Sequence, residues 1–314
     1  MYSPEIAVLL PCYNEGVAIE QVVRDFKTAL PNAAIYVYDN NSTDNTADVA
    51  RRAGAIVRHE LQQGKGNVVR RMFRDIDADY YIMADGDNTY DASLASVLVQ
   101  EAMSGPFDLV NCIRKESEKQ AYRGGHRWGN HILTGVVRYI FGNRVQDMLS
   151  GYKVFSRRFV KSFPALSTGF DIETELTVHA LELSMPVSHK VGLYRGRPDG
   201  SQSKLRTYRD GWRILMMIVK LVRHERPLWF FGAISALLTV LAVSISAPVF
   251  ITFADTGLVP RLPTALLSTG IMLIASLSLV TGVILDTVTR GRKELRMLIY
   301  LQHSAQPCTK GYRG

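Results

Sequence analysis

Two aspartates stand two residues apart in the segment YIMADGDNTYD, which spans residues 81–91. The segment begins with apolar residues that predict a buried strand, and Asp85 and Asp87 follow on either side of Gly86. Side chains at positions i and i+2 of an extended chain point to the same side. The two carboxylates would therefore repel each other unless a cation lay between them or one of them took a proton. A solvated turn is the alternative, since Asp, Gly and Asn are common turn residues.

Other polar clusters follow other apolar segments. PCYNE at 11–15 and DNNSTDNT at 39–46 each come directly after such a segment, and QGKGN at 63–67 contains Lys65 between two glycines. Asp39 could accept hydrogen bonds from a base N–H or a ribose hydroxyl, and a lysine at a helix start is well placed for a phosphate. Asp85 and Asp87 would then bind the ribose and a divalent cation on the diphosphate. Magnesium and manganese prefer such oxygen ligands, so a nucleotide is the ligand that these residues fit.

Alternating strand and helix patterns position these clusters. Strands are predicted at 6–10, 34–38, 56–58 and 80–84, and helices at 17–30, 42–53 and 65–76. Ser42 or Thr43 is the predicted N-cap of the second helix. The alternation predicts an α/β fold, a mostly parallel sheet with helices on both faces. Ligands of such sheets bind beyond the carboxyl ends of the strands, where the polar clusters fall. No G-x-G-x-x-G motif follows the first strand, which argues against a dinucleotide-binding fold.

The composition limits the class of protein. The 314 residues carry a formal net charge of +8, which indicates an anionic partner such as nucleic acid, a phosphorylated ligand or an acidic membrane. Three widely spaced cysteines argue against a disulfide framework or a zinc site. The aromatic residues follow no nucleic-acid-binding motif, so we expect no nucleic acid partner. The N-terminus has no basic region before its apolar run, and we expect no signal peptide.

The C-terminal third contains two uncharged segments, 228–253 and 264–285. Each is long enough to cross the hydrocarbon core of a bilayer. Lysines and arginines flank the pair on its outer sides, whereas the loop between them has only Arg261 against Asp255. The positive-inside rule then predicts that the N-terminal domain and both termini are cytoplasmic. The sequence thus predicts a multi-pass protein of the cell (inner) membrane, with two buried helices of a soluble protein as the alternative.

The segment before the first span is basic on one helical face and apolar over much of the rest. This pattern predicts an amphipathic interfacial helix on anionic membrane lipids, and packing on the soluble domain is the alternative. The predicted organisation is a cytoplasmic domain at 1–203, the basic helix at 204–227, a transmembrane hairpin at 228–287 with helices at about 228–253 and 264–287, and a basic cytoplasmic tail at 288–314. A homo-oligomer is compatible with this organisation.

Four motifs together carry a family resemblance. LLPCYNEG, VYDNNSTDNT, GKGN and ADGDNTYD, in this order and at this spacing, resemble the family 2 glycosyltransferases of GT-A fold over about residues 5–200. With the paired C-terminal spans, the chain is similar to the membrane-anchored polyprenyl-phosphate glycosyltransferases, relatives of dolichyl-phosphate mannose synthase. The resemblance implies that Lys65 lies near the donor phosphates and that Asp85 and Asp87 form the DxD pair. It further implies a nucleoside site made by Pro11, Tyr13, Asn14, Glu15 and Asp39.

The same resemblance implies an acceptor site. Related enzymes place one arginine after the strand that follows DxD and a second about a dozen residues later, on the acceptor phosphate. Arg114 and Arg127 match these positions, with Arg123 as a substitute, although a solvated charged loop is the alternative for this mixed-charge run. Guanidinium groups suit a phosphate because they bind it bidentately and stay charged. DMLSGYKVFSRR at 147–158 resembles the family element that lines the sugar and acceptor, with Asp147, Ser150 and Gly151 as its candidates.

The metal site departs from the family pattern. Related mannose synthases read DADLQ where this chain reads DGDNT, so Thr89 stands in the place of a glutamine that supports the metal. Metal coordination is then expected to rest on Asp87 and water, with Asp85 as the second carboxylate. The resemblance implies Mg²⁺ or Mn²⁺ as the cofactor.

The implied reaction is the inverting transfer of a sugar from a UDP- or GDP-sugar to a polyprenyl phosphate of the undecaprenyl or dolichyl type. A phosphate monoester is already ionised at neutral pH, so it needs no strong base. Asp171 and Glu173 match the position of the base in family members that act on hydroxyl acceptors. They are expected to position sugar hydroxyls or arginines here. A hydroxyl acceptor, with Asp171 or Glu173 as the base, and a non-catalytic membrane scaffold are the alternatives.

Overall fold

The computed structural model describes residues 4–116, 135, 147–165, 169, 172–195, 216 and 219–304. The chain divides into two compact units. The first comprises Met1–Ile214 together with Arg296–Gly314, and the second comprises Leu215–Leu295.

The first unit is built around a sheet that has seven strands within the described residues. The strands stand in the order β3-β2-β1-β4-β6-β5-β7. Four of the pairings are parallel, and β6 pairs antiparallel with both β4 and β5. The mixed α/β fold with a mostly parallel sheet agrees with the fold class predicted from the sequence. The elements are β1 (Ile6–Cys12), α1 (Ile19–Ala29), β2 (Ala34–Asp39), α2 (Thr46–Arg52), β3 (Ile56–His59), α3 (Lys65–Asp75), β4 (Tyr80–Met83), α4 (Ala95–Ser104), β5 (Leu109–Glu116), β6 (Lys153–Ser156), α5 (Arg157–Ser162), α6 (Ile172–Glu182) and β7 (Val187–Tyr194).

Helices cover both faces of the sheet. Alternate residues of each strand point to opposite faces. The central strands are apolar on both faces and therefore contribute side chains to two cores. One core joins the sheet to α1, α2 and α4, and includes Val8, Phe26 and Tyr152. The other joins it to α3, α5 and α6, and includes Leu9 and Phe155. The two cores hold the strands rigidly, and the strand ends can therefore carry a precise arrangement of polar groups.

The start of α2 differs from the prediction. Ser42 and Thr43 do not cap this helix, because it begins at Thr46 with Asn45 at the N-cap position. The predicted N-cap is therefore wrong. The physical reason is that Ser42 and Thr43 are engaged elsewhere: both bond to Asn14 in the loop after β1. A serine or threonine before a helix is a good cap only when no nearby loop competes for it.

The second unit contains two long apolar helices, α7 (Pro227–Thr256) and, up to Leu295, α8 (Leu262–Gln302). Both are long and apolar enough to cross a membrane. They pack on each other, because Ser278 Oγ donates to the carbonyl of Phe231 at 3.1 Å, and Gly282 lies against Leu228 and Phe231. Helix α7 ends at Gly257, whose φ of +68° closes the last turn in a left-handed cap that glycine adopts at little cost.

The end of α8 belongs to the first unit. From Arg296 onward this helix lies with the sheet domain, where Arg296 pairs with Glu182 at 2.6 Å. The Tyr300 hydroxyl donates to Asp108 at 2.7 Å, and Tyr300 joins the second core. The sequence analysis assigned residues 288–314 to a basic tail, and the structure continues α8 through this region to Gln302.

Candidate active site

The chain turns sharply after three central strands, at the same edge of the sheet. Asn14, Asn41 and Asn88 follow β1, β2 and β4, and all three have positive φ, at 53°, 60° and 59°. Asparagine tolerates this left-handed conformation better than other non-glycine residues. Each turn stops the strand and leaves the following polar side chains at the carboxyl edge. These turns bring together the clusters that the sequence analysis expected at one edge.

The loop after β1 is tied to the loop after β2. The backbone N–H of Asn14 donates to Ser42 Oγ at 2.9 Å, and Asn14 Oδ1 accepts from the Thr43 N–H at 2.8 Å. The Glu15 N–H donates to Thr46 Oγ1 at 2.9 Å. Two of the predicted nucleoside residues, Asn14 and Glu15, thus hold the loop in place through these atoms. Of the other two predicted nucleoside residues near this loop, Pro11 lies near the end of β1 and Tyr13 directly follows the strand, and both are half-buried.

Asp39 ends β2 with an unsatisfied carboxylate. The residue is 5% exposed, and its Oδ2 accepts from the Ser42 N–H at 3.3 Å and lies 3.4 Å from His59 Nδ1. Its Oδ1 has no hydrogen-bond partner among the residues that the structure describes. A buried carboxylate oxygen without a donor is costly, and native structures keep such atoms where a ligand supplies the donor. This oxygen fits the predicted contact with a base N–H or ribose hydroxyl.

Asn40 shapes the loop that leads into α3. Its Nδ2 donates to the carbonyls of Glu60 and Gln62, both at 2.9 Å, and its Oδ1 accepts from the Gly64 N–H at 2.7 Å. All polar atoms of the side chain are used within this loop. Sequence reasoning missed this role, although the position of Asn40 directly after Asp39 was a usable signal.

Lys65 bridges two carboxylates at the start of α3. Its Nζ lies 2.5 Å from Asp85 Oδ1 and 2.5 Å from Glu173 Oε1. Burial alone would lower the pKa of Lys65, but the two carboxylates outweigh it and raise that pKa. Burial raises the pKa of Glu173 even against the positive charge of Lys65. The lysine predicted to lie near the donor phosphates is therefore charged and held directly beside the first aspartate of the DGD motif.

Asp85 packs against a glycine of the DMLSGY segment. A Cβ at Gly151 would lie 2.6 Å from Asp85 Oδ2, so only glycine leaves room for this carboxylate. The Gly151 N–H donates to the Tyr90 hydroxyl at 2.8 Å. Burial, followed by the charge of Asp85, raises the pKa of Tyr90 well above its ordinary value. Asp85 and Gly151, 66 positions apart in the sequence, thus lie together in one wall of the site.

Asp87 is 3% exposed and receives two hydrogen bonds from Thr89. The Thr89 hydroxyl donates to Asp87 Oδ1 at 2.6 Å and the Thr89 N–H donates to the same oxygen at 3.2 Å. Thr89, which stands where related mannose synthases have a glutamine, therefore orients the Asp87 carboxylate through these two hydrogen bonds.

The donor set suits a hard divalent cation only in part. Asp85 and Asp87 offer carboxylate oxygens at one sheet edge, and such oxygens fit Mg²⁺ or Mn²⁺. Among the residues that the structure describes, no three His, Cys, Asp or Glu side chains form a closed metal centre. A cation held by two carboxylates needs further oxygen ligands, which a diphosphate and water would supply. The residues present therefore fit a metal that arrives with the nucleotide.

Arg114 and Asp147 form a bidentate pair on the other side of the site. Arg114 Nε lies 2.8 Å from Asp147 Oδ2, and its Nη2 lies 2.9 Å from Oδ1. Burial would raise the pKa of Asp147, but the hydrogen bonds and charge of Arg114 outweigh it and hold that pKa below its ordinary value. The guanidinium also lies over the Tyr194 ring at 5.6 Å. The predicted acceptor arginine is thus fixed on two sides.

The remaining predicted acceptor residues are placed unequally. Ser150 is fully buried, its Oγ donates to the Cys112 carbonyl at 2.6 Å and accepts from the Tyr152 N–H at 3.3 Å. The structure gives Ser150 a supporting position, and its contact with an acceptor stays a prediction. Three further candidates lie outside the described residues, and they are Arg123, Arg127 and Asp171.

One buried lysine near the site was missed by sequence reasoning. Lys153 is 0% exposed, and its Nζ donates to Asn111 Oδ1 at 2.7 Å. A lysine inside the otherwise apolar strand KVFS was the available signal, because lysine is almost never fully buried without a partner.

The chain belongs to glycosyl transferase family 2, whose family model matches residues 7–163. Glycosyltransferase AglJ of Haloferax volcanii is 33% identical over 236 residues, 74% of this chain and 78% of AglJ. A dolichyl-phosphate hexose transferase of the same organism is 25% identical over 223 residues, 71% of this chain and 96% of that protein. Protein RfbJ of Shigella flexneri is 54% identical over 127 residues, 40% of this chain and 98% of RfbJ. The predicted family and enzyme class, glycosyltransferase, are confirmed.

Solved structures share the fold. Glucosyl-3-phosphoglycerate synthase of Mycobacterium tuberculosis superposes with a TM-score of 0.58 at 21% identity, over 70% of this chain and 80% of that chain. Its complex with Mn²⁺, uridine-diphosphate-glucose and phosphoglyceric acid gives a TM-score of 0.59 at 21% identity, over 70% and 79% of the two chains. At this level of identity the likeness concerns the fold, and it agrees with the predicted GT-A architecture.

Proposed function

We propose that this glycosyltransferase moves a sugar, with inversion, from a nucleotide sugar to the phosphate of a polyprenyl phosphate. The observation that carries the proposal is the Arg114–Asp147 pair, a partly buried and oriented guanidinium at the catalytic edge of the sheet. An arginine held in this way is ready to bind a phosphate dianion bidentately. The similarity to a dolichyl-phosphate hexose transferase supports the same acceptor class.

On this proposal the residues divide into a donor side and an acceptor side. Asp39 binds the nucleoside, and the positive charge of Lys65 stabilises the leaving diphosphate. Asp85 and Asp87 would hold Mg²⁺ or Mn²⁺, which when bound neutralises the diphosphate charge. The related fold that binds Mn²⁺ with uridine-diphosphate-glucose supports this cofactor and UDP over GDP. Arg114 orients the acceptor phosphate, whose oxygen attacks the anomeric carbon as the bond to the diphosphate breaks.

The hydroxyl-acceptor alternative would require Glu173 or Asp171 as the base. Glu173 Oε1 is engaged by Lys65 at 2.5 Å, and the side chain is 12% exposed. The oxygen that faces Lys65 is occupied, and a proton placed on it would break the ion pair, even though burial raises the pKa of Glu173. We therefore assign Glu173 to holding Lys65. A phosphate acceptor has no such need for a base, since it is already ionised at neutral pH.

We further propose that the second unit anchors the enzyme in the cell membrane, with the catalytic domain and both termini in the cytoplasm. The support is the pair of apolar helices and the lysines and arginines that flank them. Reporter fusions test this. A fusion at the C-terminus should report the cytoplasm, and one within residues 255–260 should report the opposite side. A cytoplasmic signal from the loop would contradict the proposed topology.

The acceptor assignment is tested with Arg114→Ala. The variant should raise the acceptor KM or lower kcat by roughly ten- to a hundredfold, because a charge-assisted contact with phosphate contributes about 1.5–3 kcal/mol. The affinity for the nucleotide sugar should stay unchanged. Arg157→Ala is the matched control, since Arg157 pairs with Asp77 in a half-exposed ion pair away from the site.

Glu173→Gln separates the two acceptor classes. On our proposal the variant keeps measurable activity, and the acidic limb of its pH–rate profile still follows the phosphate of the acceptor near pH 6. A base would behave differently, since the amide would abolish turnover and remove the acidic limb. That second result, together with unchanged acceptor kinetics in Arg114→Ala, would overturn the polyprenyl-phosphate proposal and leave the glycosyltransferase class intact.

A further inference from the structure

The strand β6 buries a lysine at the catalytic end of the sheet. Lys153 is paired in register with Met83, the last residue of β4, and with Asn111 of β5. It shares a sheet face with Phe155, two residues on, and Phe155 belongs to the core beneath α3 and α6. Lys153 therefore lies inside the protein, on the face from which Lys65 and Glu173 reach the site, and at 0% exposure it cannot touch a substrate.

A short chain of hydrogen bonds connects Lys153 to the acceptor arginine. Lys153 Nζ donates to Asn111 Oδ1 at 2.7 Å, and Asn111 Nδ2 donates to the carbonyl of Asp147 at 2.8 Å. The Asp147 carboxylate in turn accepts from two nitrogens of Arg114. The orientation of the Asn111 amide follows from this chain, because only Oδ1 can accept from an ammonium. Lys153 thus fixes the Asn111 amide, and Asn111 holds the backbone of the residue whose carboxylate pairs with Arg114.

The charges around Lys153 come from four elements. Asp147 before β6 and Glu173 on α6 favour its charged form, whereas Arg114 on β5 and Lys65 on α3 oppose it. Burial is the largest effect and lowers the pKa of Lys153 to about 8. An apolar residue would be less costly at this position, so a buried ammonium here calls for a function.

We propose that Lys153 is a positioning residue for the acceptor phosphate, which holds the Arg114–Asp147 pair in place through Asn111 and adds a fixed positive charge beneath it. The inference rests on the proposed function, because it assumes that Arg114 receives a phosphate. A dianion that approaches Arg114 has to overcome the negative charge of Asp147. Lys153 offsets that charge from inside the protein, where the low dielectric strengthens the interaction.

The test uses the full-length protein in detergent, with farnesyl phosphate as the acceptor, farnesol as the uncharged comparison and the nucleotide sugar that the wild type uses. Lys153→Met keeps the length and apolar stem of the side chain and removes the charge. We expect the KM for farnesyl phosphate to rise roughly tenfold, with unchanged donor affinity. The melting temperature should change little, because removal of a buried charge offsets the loss of the donor to Asn111 Oδ1. Lys161→Met is the matched control, because Lys161 on α5 pairs with Asp77 at 3.1 Å and should leave all of these quantities unaltered.

The pH dependence of the KM for farnesyl phosphate is a second measurement, and a purely structural lysine would not affect it. In the wild type, the KM for farnesyl phosphate should rise above about pH 8, as Lys153 loses its proton. In Lys153→Met this KM should be high at all pH values. Asn111→Asp places a carboxylate beside the ammonium, which raises the pKa of Lys153, so its alkaline limb should move to higher pH.

Three results would count against the proposal. A wild-type KM and alkaline limb in Lys153→Met would overturn it, and so would a parallel loss of melting temperature and donor affinity, which indicates a structural role. Should Lys153→Met fail to fold, an unmoved alkaline limb in Asn111→Asp would overturn it. Failure of the proposed function is a separate result: the wild type itself would then use farnesyl phosphate no better than farnesol.

Discussion

Two regions of the first unit bury aspartates in opposite ways. At the edge away from the site, Asp108 is 1% exposed, and each of its oxygens accepts two hydrogen bonds. The donors are Ser156 Oγ and Arg158 Nε on Oδ1, and Arg158 Nη2 and the Tyr300 hydroxyl on Oδ2, at 2.5–2.7 Å. At the catalytic edge, Asp39 is 5% exposed, and no group in the described part of the chain donates to its Oδ1.

The difference separates a structural carboxylate from a ligand-binding one. Asp108 gains nothing further from a ligand, because its hydrogen-bonding capacity is filled. One carboxylate oxygen of Asp39 can still accept a hydrogen bond from a ligand. Lys65 pairs with two carboxylates, those of Asp85 and Glu173. Substitutions at the two edges should therefore affect different quantities: stability at Asp108, and binding or turnover at the catalytic edge.

The largest effect is expected for Asp108→Asn. Removing the charge leaves the half-buried Arg158 without the carboxylate that it pairs with, and breaking a buried ion pair costs about 3–5 kcal/mol. The melting temperature should fall strongly, while kcat per folded molecule stays near that of the wild type. Thermal unfolding and active-site-titrated rates check this, and a variant with normal stability would refute the structural assignment.

Asp87→Ala should act in the opposite way. We expect at least a hundredfold loss of turnover, about 2.7 kcal/mol of barrier, with the melting temperature little changed. A chelator should abolish wild-type activity, and added Mg²⁺ or Mn²⁺ should restore it. If the variant kept more than roughly a tenth of the wild-type rate, about 1.4 kcal/mol of barrier, the metal role of Asp87 would be wrong.

Asp39→Asn sharpens the comparison at the donor site. The amide removes a charge-assisted hydrogen bond to the nucleoside, so the Kd for the nucleotide sugar should rise about tenfold, or about 1.4 kcal/mol. Stability should not fall, because the lost carboxylate was incompletely paired. Asp48→Asn, at an exposed position of α2, is the control. Equal donor affinity in Asp39→Asn and Asp48→Asn would contradict the nucleoside contact.

The smallest effect is expected for Tyr300→Phe. Asp108 keeps three of its four donors in this variant, so the free energy of unfolding should fall by about 1 kcal/mol. Donor and acceptor kinetics should be those of the wild type. A kinetic change without a change in stability would show that this edge of the sheet communicates with the site.

The sequence predicted the order of the first seven elements, since alternating apolar segments and polar strand ends are local signals. It did not predict β6 as an antiparallel strand between two others, because nothing in KVFS indicates its partners. The start of α2 was mispredicted for a related reason. Ser42 and Thr43 cap well in isolation, and the competing partner, Asn14, is distant in sequence.

The motifs predicted which residues form the candidate site, but they did not predict which side chains pair with each other. The sequence placed Lys65, Asp85 and Asp87 at one edge, and the structure brings Lys65 to Asp85. The bond from Lys65 to Glu173 joins residues 108 positions apart, and the pair of Arg114 with Asp147 spans 33 positions. Such pairings depend on tertiary packing, which residue types and spacing do not encode.

The contact between Tyr300 and Asp108 bears on how the protein is made. The two residues lie 192 positions apart, and the sequence between them contains α7 and most of α8, the helix to which Tyr300 belongs. The strands of the sheet domain are therefore synthesised before Tyr300, a residue of the second core. Until Tyr300 has been synthesised, Asp108 lacks one of its hydrogen-bond donors and the second core lacks one of its side chains. Completion of the catalytic fold is in this way coupled to synthesis of the whole hairpin.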